Sequence, residues 1–145
     1  MRLWHYALLK YLPDLQFKGQ HRDMVAIMHD WRDKGETNHL LINKVMEFPR
    51  ADLARYFIMY EAEYYRRYGR WLTKTWDEFR TFVVEDGSDE TGCFDSWHDM
   101  DYLRVCMANL YEKHRFGVGK SRITDKEWET LVDGYREITG EYYIV

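Results

Sequence analysis

Apolar positions recur along this chain at helical spacing, in stretches separated by short polar or glycine-bearing breaks. The stretch LPDLQFKGQHRDMVAIMHDW (residues 12–31) predicts a long first helix. Phe17, Met24, Ile27, Met28 and Trp31 fall on one face, with Pro13 and Asp14 suited to the first turn. DKGETN breaks it, and HLLINKVMEF (39–48) reads as a short apolar helix. The clearest helix is FPRADLARYFIMYEAEYYRRYG (48–69), opened by Pro49, striped by Leu53, Phe57, Tyr60 and Tyr64, and closed by Gly69. TWDEF (75–79) predicts a short helix with a capping box, Thr75 with Glu78. EDGSDETGC (85–93) reads as an exposed acidic loop. DMDYLRVCMANLYEKH (99–114) predicts a helix capped by Asp99, and RFGVGKSR (115–122) a loop. TDKEWETLVDGYREITG (124–140) carries a second capping box, Thr124 with Glu127, and Gly140 as terminator. The expected fold is all-α: a single compact domain, residues 1–145, of four to five helices.

Composition adjusts this picture. The chain has 145 residues, 17% of them aromatic, and two prolines, which suits a helical core of large side chains. Cys93 and Cys106 show neither CxxC nor zinc-site spacing and are expected to be reduced thiols. No apolar run approaches the ~20 residues needed to span a bilayer, and the secretory pattern is missing, so a soluble cytoplasmic protein is expected. The net charge is −4, which argues mildly against nucleic acid. It is unevenly spread: residues 1–82 hold 14 Lys/Arg against 11 Asp/Glu, and residues 83–145 hold 7 against 14. A basic face on the N-terminal half is compatible with that division.

Three features could carry chemistry. The chain starts MRLWHY, where most domains have slack polar residues, so the N-terminal segment is expected to be packed from its first residues. On the first helix Gly19, Asp23 and Ala26 share one flank, which would let a second backbone approach a carboxylate. The plainer reading is a boundary stripe with Asp23 solvated. The histidines are weak signals: His21 and Asp23 project about 200° apart on a helix, and His98 in WHDMD sits at the approach to a cap. GVGKSR lacks the phosphate-loop spacing. No metal or cofactor is expected, because no HExxH or CxxC pattern is present.

The opening MRLWHY…YLPDLQFKGQHRD resembles that of the pyrimidine-dimer DNA glycosylases, the phage-type endonuclease V repair enzymes and their bacterial relatives. It is most similar to the bacterial branch that opens Met-Arg-Leu-Trp. NHLLINKVMEF, EYYRRYGRWL and WHDMDYLRVCMANLYEKH extend the resemblance over most of residues 1–115. The resemblance implies a compact helical protein whose N-terminal segment packs between helices, so that its α-amine lies beside a carboxylate on the first helix. It further implies attack of that amine on C1′ of the damaged nucleotide, a Schiff base, loss of the base and strand cleavage by β-elimination. Carried over, Met1 supplies the amine and Asp23 the catalytic carboxylate. Arg2 and Arg22 contact the DNA backbone, with Lys18 beside them, and Tyr142 and Tyr143 offer stacking surfaces. Bulky Arg2 implies that Met1 is retained. An α-amine is nucleophilic near neutral pH in a way that a lysine is not.

The implied function is thus a DNA-repair glycosylase and abasic-site lyase acting as a monomer on damaged or abasic duplex DNA, probing no membrane. Two other readings stay open: an inert nucleic-acid-binding module on the same scaffold, and a helical protein-interaction module.

Overall fold

The computed structural model describes residues 1–87 and 92–145; residues 88–91 of the expected acidic loop lie outside that range. Among the described residues there are five α-helices: α1 (Asp14–Lys34), α2 (Arg50–Tyr68), α3 (Thr73–Asp86), α4 (Met100–Arg115) and α5 (Asp125–Thr139). Short 3-10 helices cover Tyr6–Tyr11, Ile42–Glu47 and Gly119–Ser121. The architecture is all-α, and none of the described helices is long and apolar enough to cross a membrane.

The helix α2 sits at the centre, touching α1, α3 and the first 3-10 helix, and α5 closes the far side of that 3-10 helix. Leu53, Tyr56, Phe57 and Tyr60 of α2 are fully buried. They meet Phe17, Met24, Ile27 and Met28 of α1 and Phe79 and Phe82 of α3 in one core. Phe57 stacks on Phe79 at 4.8 Å between centroids, and Trp31 meets Phe82 edge-on at 5.3 Å. The N-terminal 3-10 helix docks where Gly134 of α5 leaves no room for a side chain: a Cβ there would run into the Tyr11 ring. Arg67 locks the same 3-10 helix from α2. It donates to the Leu12 carbonyl at 2.8 Å, pairs with Glu63 at 2.7 Å and lies over the Phe17 ring. Burial alone would raise the Glu63 carboxyl, but Arg66 and Arg67 together hold it below its usual value.

Most helix ends follow local chemistry. Gly69 ends α2 in the left-handed region at φ 67°, where a side chain is disfavoured. Asp99 caps α4 by accepting the Tyr102 N–H, and Thr124 with Glu127 forms the full capping box of α5. Three expectations are corrected. The helix expected at 75–79 runs from Thr73 to Asp86 and has no capping box. Thr75 and Glu78 turn toward α1 instead, where they meet His21 (3.4 Å) and His29 (3.1 Å), and burial of Phe79 and Phe82 extends the helix. The helix expected at 39–48 shortens to the 3-10 turn Ile42–Glu47. Gly19 makes no room for another backbone, since a Cβ there would meet just the Arg22 guanidinium, at 3.5 Å.

Candidate active site

Residues 1–5 lead into the first 3-10 helix with neither helix nor strand of their own, and the described residues include no strand to pair with them. Buried backbone donors and acceptors need partners, and here side chains from three helices supply them. From α1, the Asp23 carboxylate accepts the Arg2 N–H at 3.0 Å. One turn earlier, Gln20 grips the segment twice: its Oε1 accepts the Trp4 N–H at 2.7 Å and its amide donates to the Arg2 carbonyl at 2.8 Å. From α2, the Tyr56 hydroxyl donates to the Trp4 carbonyl at 2.6 Å. From α4 and its lead-in, Tyr102 donates to the Leu3 carbonyl, Cys106 Sγ accepts the His5 N–H at 3.4 Å, and His98 Nδ1 accepts the Tyr6 N–H at 3.1 Å.

Apart from the Asp23 carboxylate, the side chains that do this are neutral ones. Burial, reinforced by nearby His5, pushes His98 down to about 2, so its ring stays uncharged and Nδ1 keeps its lone pair for Tyr6. Burial lowers His5 as well, against the pull of the His98 and Asp99 backbone carbonyls. The Cys106 thiol is raised to about 11 by burial, which removes it as a thiolate nucleophile. Burial also raises Tyr56 and Tyr102, so both phenols remain donors. A buried aspartate supports the turn that delivers His98. Asp52, 2% exposed on α2, accepts the Phe94 N–H at 2.9 Å and stabilises the left-handed Phe94 backbone at φ 59°.

The outcome is a fixed N-terminal end. The Met1 side chain is half-buried against the core. A residue spans about 3.6 Å, so the Met1 amine lies no more than about 7 Å from the Asp23 carboxylate that holds the next amide. Met1 and Arg2 line a cleft of about 600 Å³ with Leu40, Leu41, Lys44 and Trp97. Arg2 is exposed, with its guanidinium 5.2 Å from the Trp4 ring centre.

The remaining candidates are distributed. Arg22 is exposed on α1 next to Asp23. Lys18 is not brought to the cleft; its ammonium sits 5.5 Å over the Tyr68 ring, beside Asp14. Tyr142 is 64% exposed with Arg136 at 4.4 Å over its ring, whereas Tyr143 is half-buried edge-on to Tyr135 and Trp128. Among the described residues no group of three or more His, Cys, Asp or Glu is gathered for a metal ion. Sequence reasoning missed Gln20, Tyr56 and Tyr102. Gln20 had a visible signal: it lies amid the apolar face of Phe17, Met24 and Ile27, where a polar side chain needs a partner.

Fold and site together define an all-helical protein with an N-terminal segment clamped against a carboxylate-bearing helix. Residues 1–78 match the family model described as pyrimidine dimer DNA glycosylase. That match spans more than half of the 145 residues, and the chain belongs to this family of DNA-repair glycosylases. It includes Met1, Arg2, Gln20, Asp23 and Tyr56, and ends before His98 and Tyr102. No curated protein and no solved structure matches the chain.

Proposed function

We propose that this protein is a DNA glycosylase with abasic-site lyase activity that uses the α-amine of Met1 as its nucleophile. The amine nitrogen bonds to C1′ of the damaged nucleotide as the glycosidic bond breaks and the base departs with a proton. Sugar-ring opening yields an iminium cation on Met1. Removal of a C2′ proton then expels the 3′ phosphate, and water releases the shortened strand. Asp23 stabilises the cation and relays protons between the amine and the sugar. Arg2 and Arg22 meet the backbone phosphates on either side, and Tyr142 offers an exposed ring for stacking.

The observation that supports this most strongly is the bond from Arg2 N–H to Asp23. A residue one peptide from the nucleophile is fixed to the carboxylate, so the amine meets its partner without a search through conformations. The reading takes the protein as a single domain and a monomer on duplex DNA.

Borohydride trapping tests it. The protein is incubated with duplex DNA holding one abasic site, reduced, and resolved by size. A covalent band is expected, and at least a 100-fold loss of it when a Gly-Ser extension precedes Met1, with DNA affinity kept within about threefold. An extended protein that traps as well as the original would refute the assignment of the amine.

A further inference from the structure

Leu40 and Leu41 stand at the mouth of the cleft beside Met1, each 87% exposed. They are not carried on slack chain. The buried Thr37 gives its N–H to Asn43 Oδ1 at 2.7 Å, and the Asn43 amide donates back to the Thr37 carbonyl at 3.3 Å. The Thr37 hydroxyl accepts the His39 N–H at 3.0 Å, and the His39 carbonyl accepts from Ile42 (3.0 Å) and Asn43 (3.2 Å). Ile42 and Val45 then sink into the core. The turn is therefore held at both ends by its own hydrogen bonds, and it would stand equally well with polar residues at 40 and 41. Nothing in its folding calls for two leucines in water.

The surroundings say what such a tip would meet. Arg2 and Lys44 line the cleft, and none of its lining residues is Asp or Glu, although the chain carries a net charge of −4. Local cations beside an apolar tip match a phosphate backbone beside a base stack. An aliphatic side chain packs at about 3.5–4 Å, close to the ~3.4 Å spacing of stacked bases.

We propose that Leu40 and Leu41 form a wedge that enters the base stack of duplex DNA at the damaged step and fills the gap left when a nucleotide is extruded from the stack. Apolar side chains inserted at a base step are a general means of offsetting lost stacking. The proposal rests on the glycosylase reading above, and it adds the residues that open the duplex.

The test compares the full chain with the double variant Leu40→Ser, Leu41→Ser and with each single variant. One substrate is a duplex with an abasic site opposite 2-aminopurine, whose fluorescence rises on unstacking; the other is the same abasic strand alone. Thermal melting confirms that all variants fold, as expected for side chains so exposed. The double variant is expected to lose the fluorescence rise and at least tenfold in trapped adduct on the duplex. On the single strand its adduct should stay within twofold, because nothing there needs unstacking. Unchanged duplex signals, or equal losses on both substrates, would overturn the wedge. So would sedimentation showing a dimer that the substitutions dissociate, since the leucines would then serve a second copy. If the original protein traps neither substrate but still produces a leucine-dependent fluorescence rise, the amine chemistry fails and the wedge stands. If it binds neither DNA, both fall.

Discussion

The two ends of this chain are built in opposite ways. Residues 2–6 have seven backbone N–H and carbonyl groups bound by Gln20, Asp23, Tyr56, His98, Tyr102 and Cys106, drawn from three helices and the lead-in to one. Residues 141–145 rest on ring contacts and one threonine. Glu141 N–H bonds Thr139 at 3.0 Å, Tyr143 packs on Tyr135, and Ile144 and Val145 are 87% and 73% exposed. Val105 of α4 lines the depressions beside both ends, so the two face the same side of α4. Chemistry at one atom needs a preorganised geometry, whereas surface contact with a long polymer tolerates a looser one. In the proposed reaction the clamped end would carry the chemistry and the loose end adjustable contact.

The largest effect is expected from Gln20→Ala. It leaves the buried Trp4 N–H and the part-buried Arg2 carbonyl without their side-chain partner, and a fully buried group left so costs about 1–3 kcal/mol. Urea unfolding should show a loss of about 3 kcal/mol, and trapping on abasic DNA should vanish. A variant that unfolds and traps like the original would break the contrast between the two ends. Asp23→Asn comes next. Asparagine can still accept the Arg2 N–H, so stability should change by less than about 1 kcal/mol. Single-turnover strand cleavage should nevertheless fall by about 10²-fold or more, the usual share of a positioned acid–base group.

A third test uses pH. His98 is held at about 2 in the fold against 6.5 as an ordinary histidine, so the unfolded chain takes up a proton that the folded one refuses. This contribution is fully present above pH 6.5 and is lost as the pH falls from there toward 2. Well below 6.5 the slope approaches about 1.4 kcal/mol per pH unit for this group. His5 and His21, both lowered by burial, act in the same direction. Denaturant unfolding between pH 7 and 5 should therefore show falling stability, and His98→Gln should be weaker at pH 7.5 but flatter across that range. The smallest effect belongs to the tail. Tyr142→Ala removes an exposed cation–π contact worth about 0.5–1 kcal/mol and should barely move the melting temperature. Its DNA affinity should drop by no more than about tenfold.

What could be read in the sequence was what depends on near neighbours. Pro49 and Gly69 bracket α2 because their backbone effects act within a turn, and Thr124 with Glu127 caps α5 for the same reason. The same local rule misled at Thr75 and Glu78, whose partners lie on α1, more than forty positions away in sequence. The stripe on α1 pointed to Asp23, and the structure puts it on the Arg2 amide. The reason attached to Gly19 fails, because close approach at that position is not what seats the segment. Gln20, Tyr56, His98 and Tyr102 were not assigned to the clamp because each binds a backbone group 16 to 99 residues distant in the chain. Spacing along the chain carries no trace of such pairings; a lone polar residue within an apolar stripe is their one local sign.

In the proposed reaction the Met1 amine nitrogen is the atom that joins the sugar. The most direct test is to reduce the complex with abasic DNA, digest it, and locate the adduct by mass spectrometry. The sugar mass is expected on the α-nitrogen of the peptide that begins at Met1. An adduct on Lys44 or another lysine side chain, with the Met1 peptide unmodified, would contradict it.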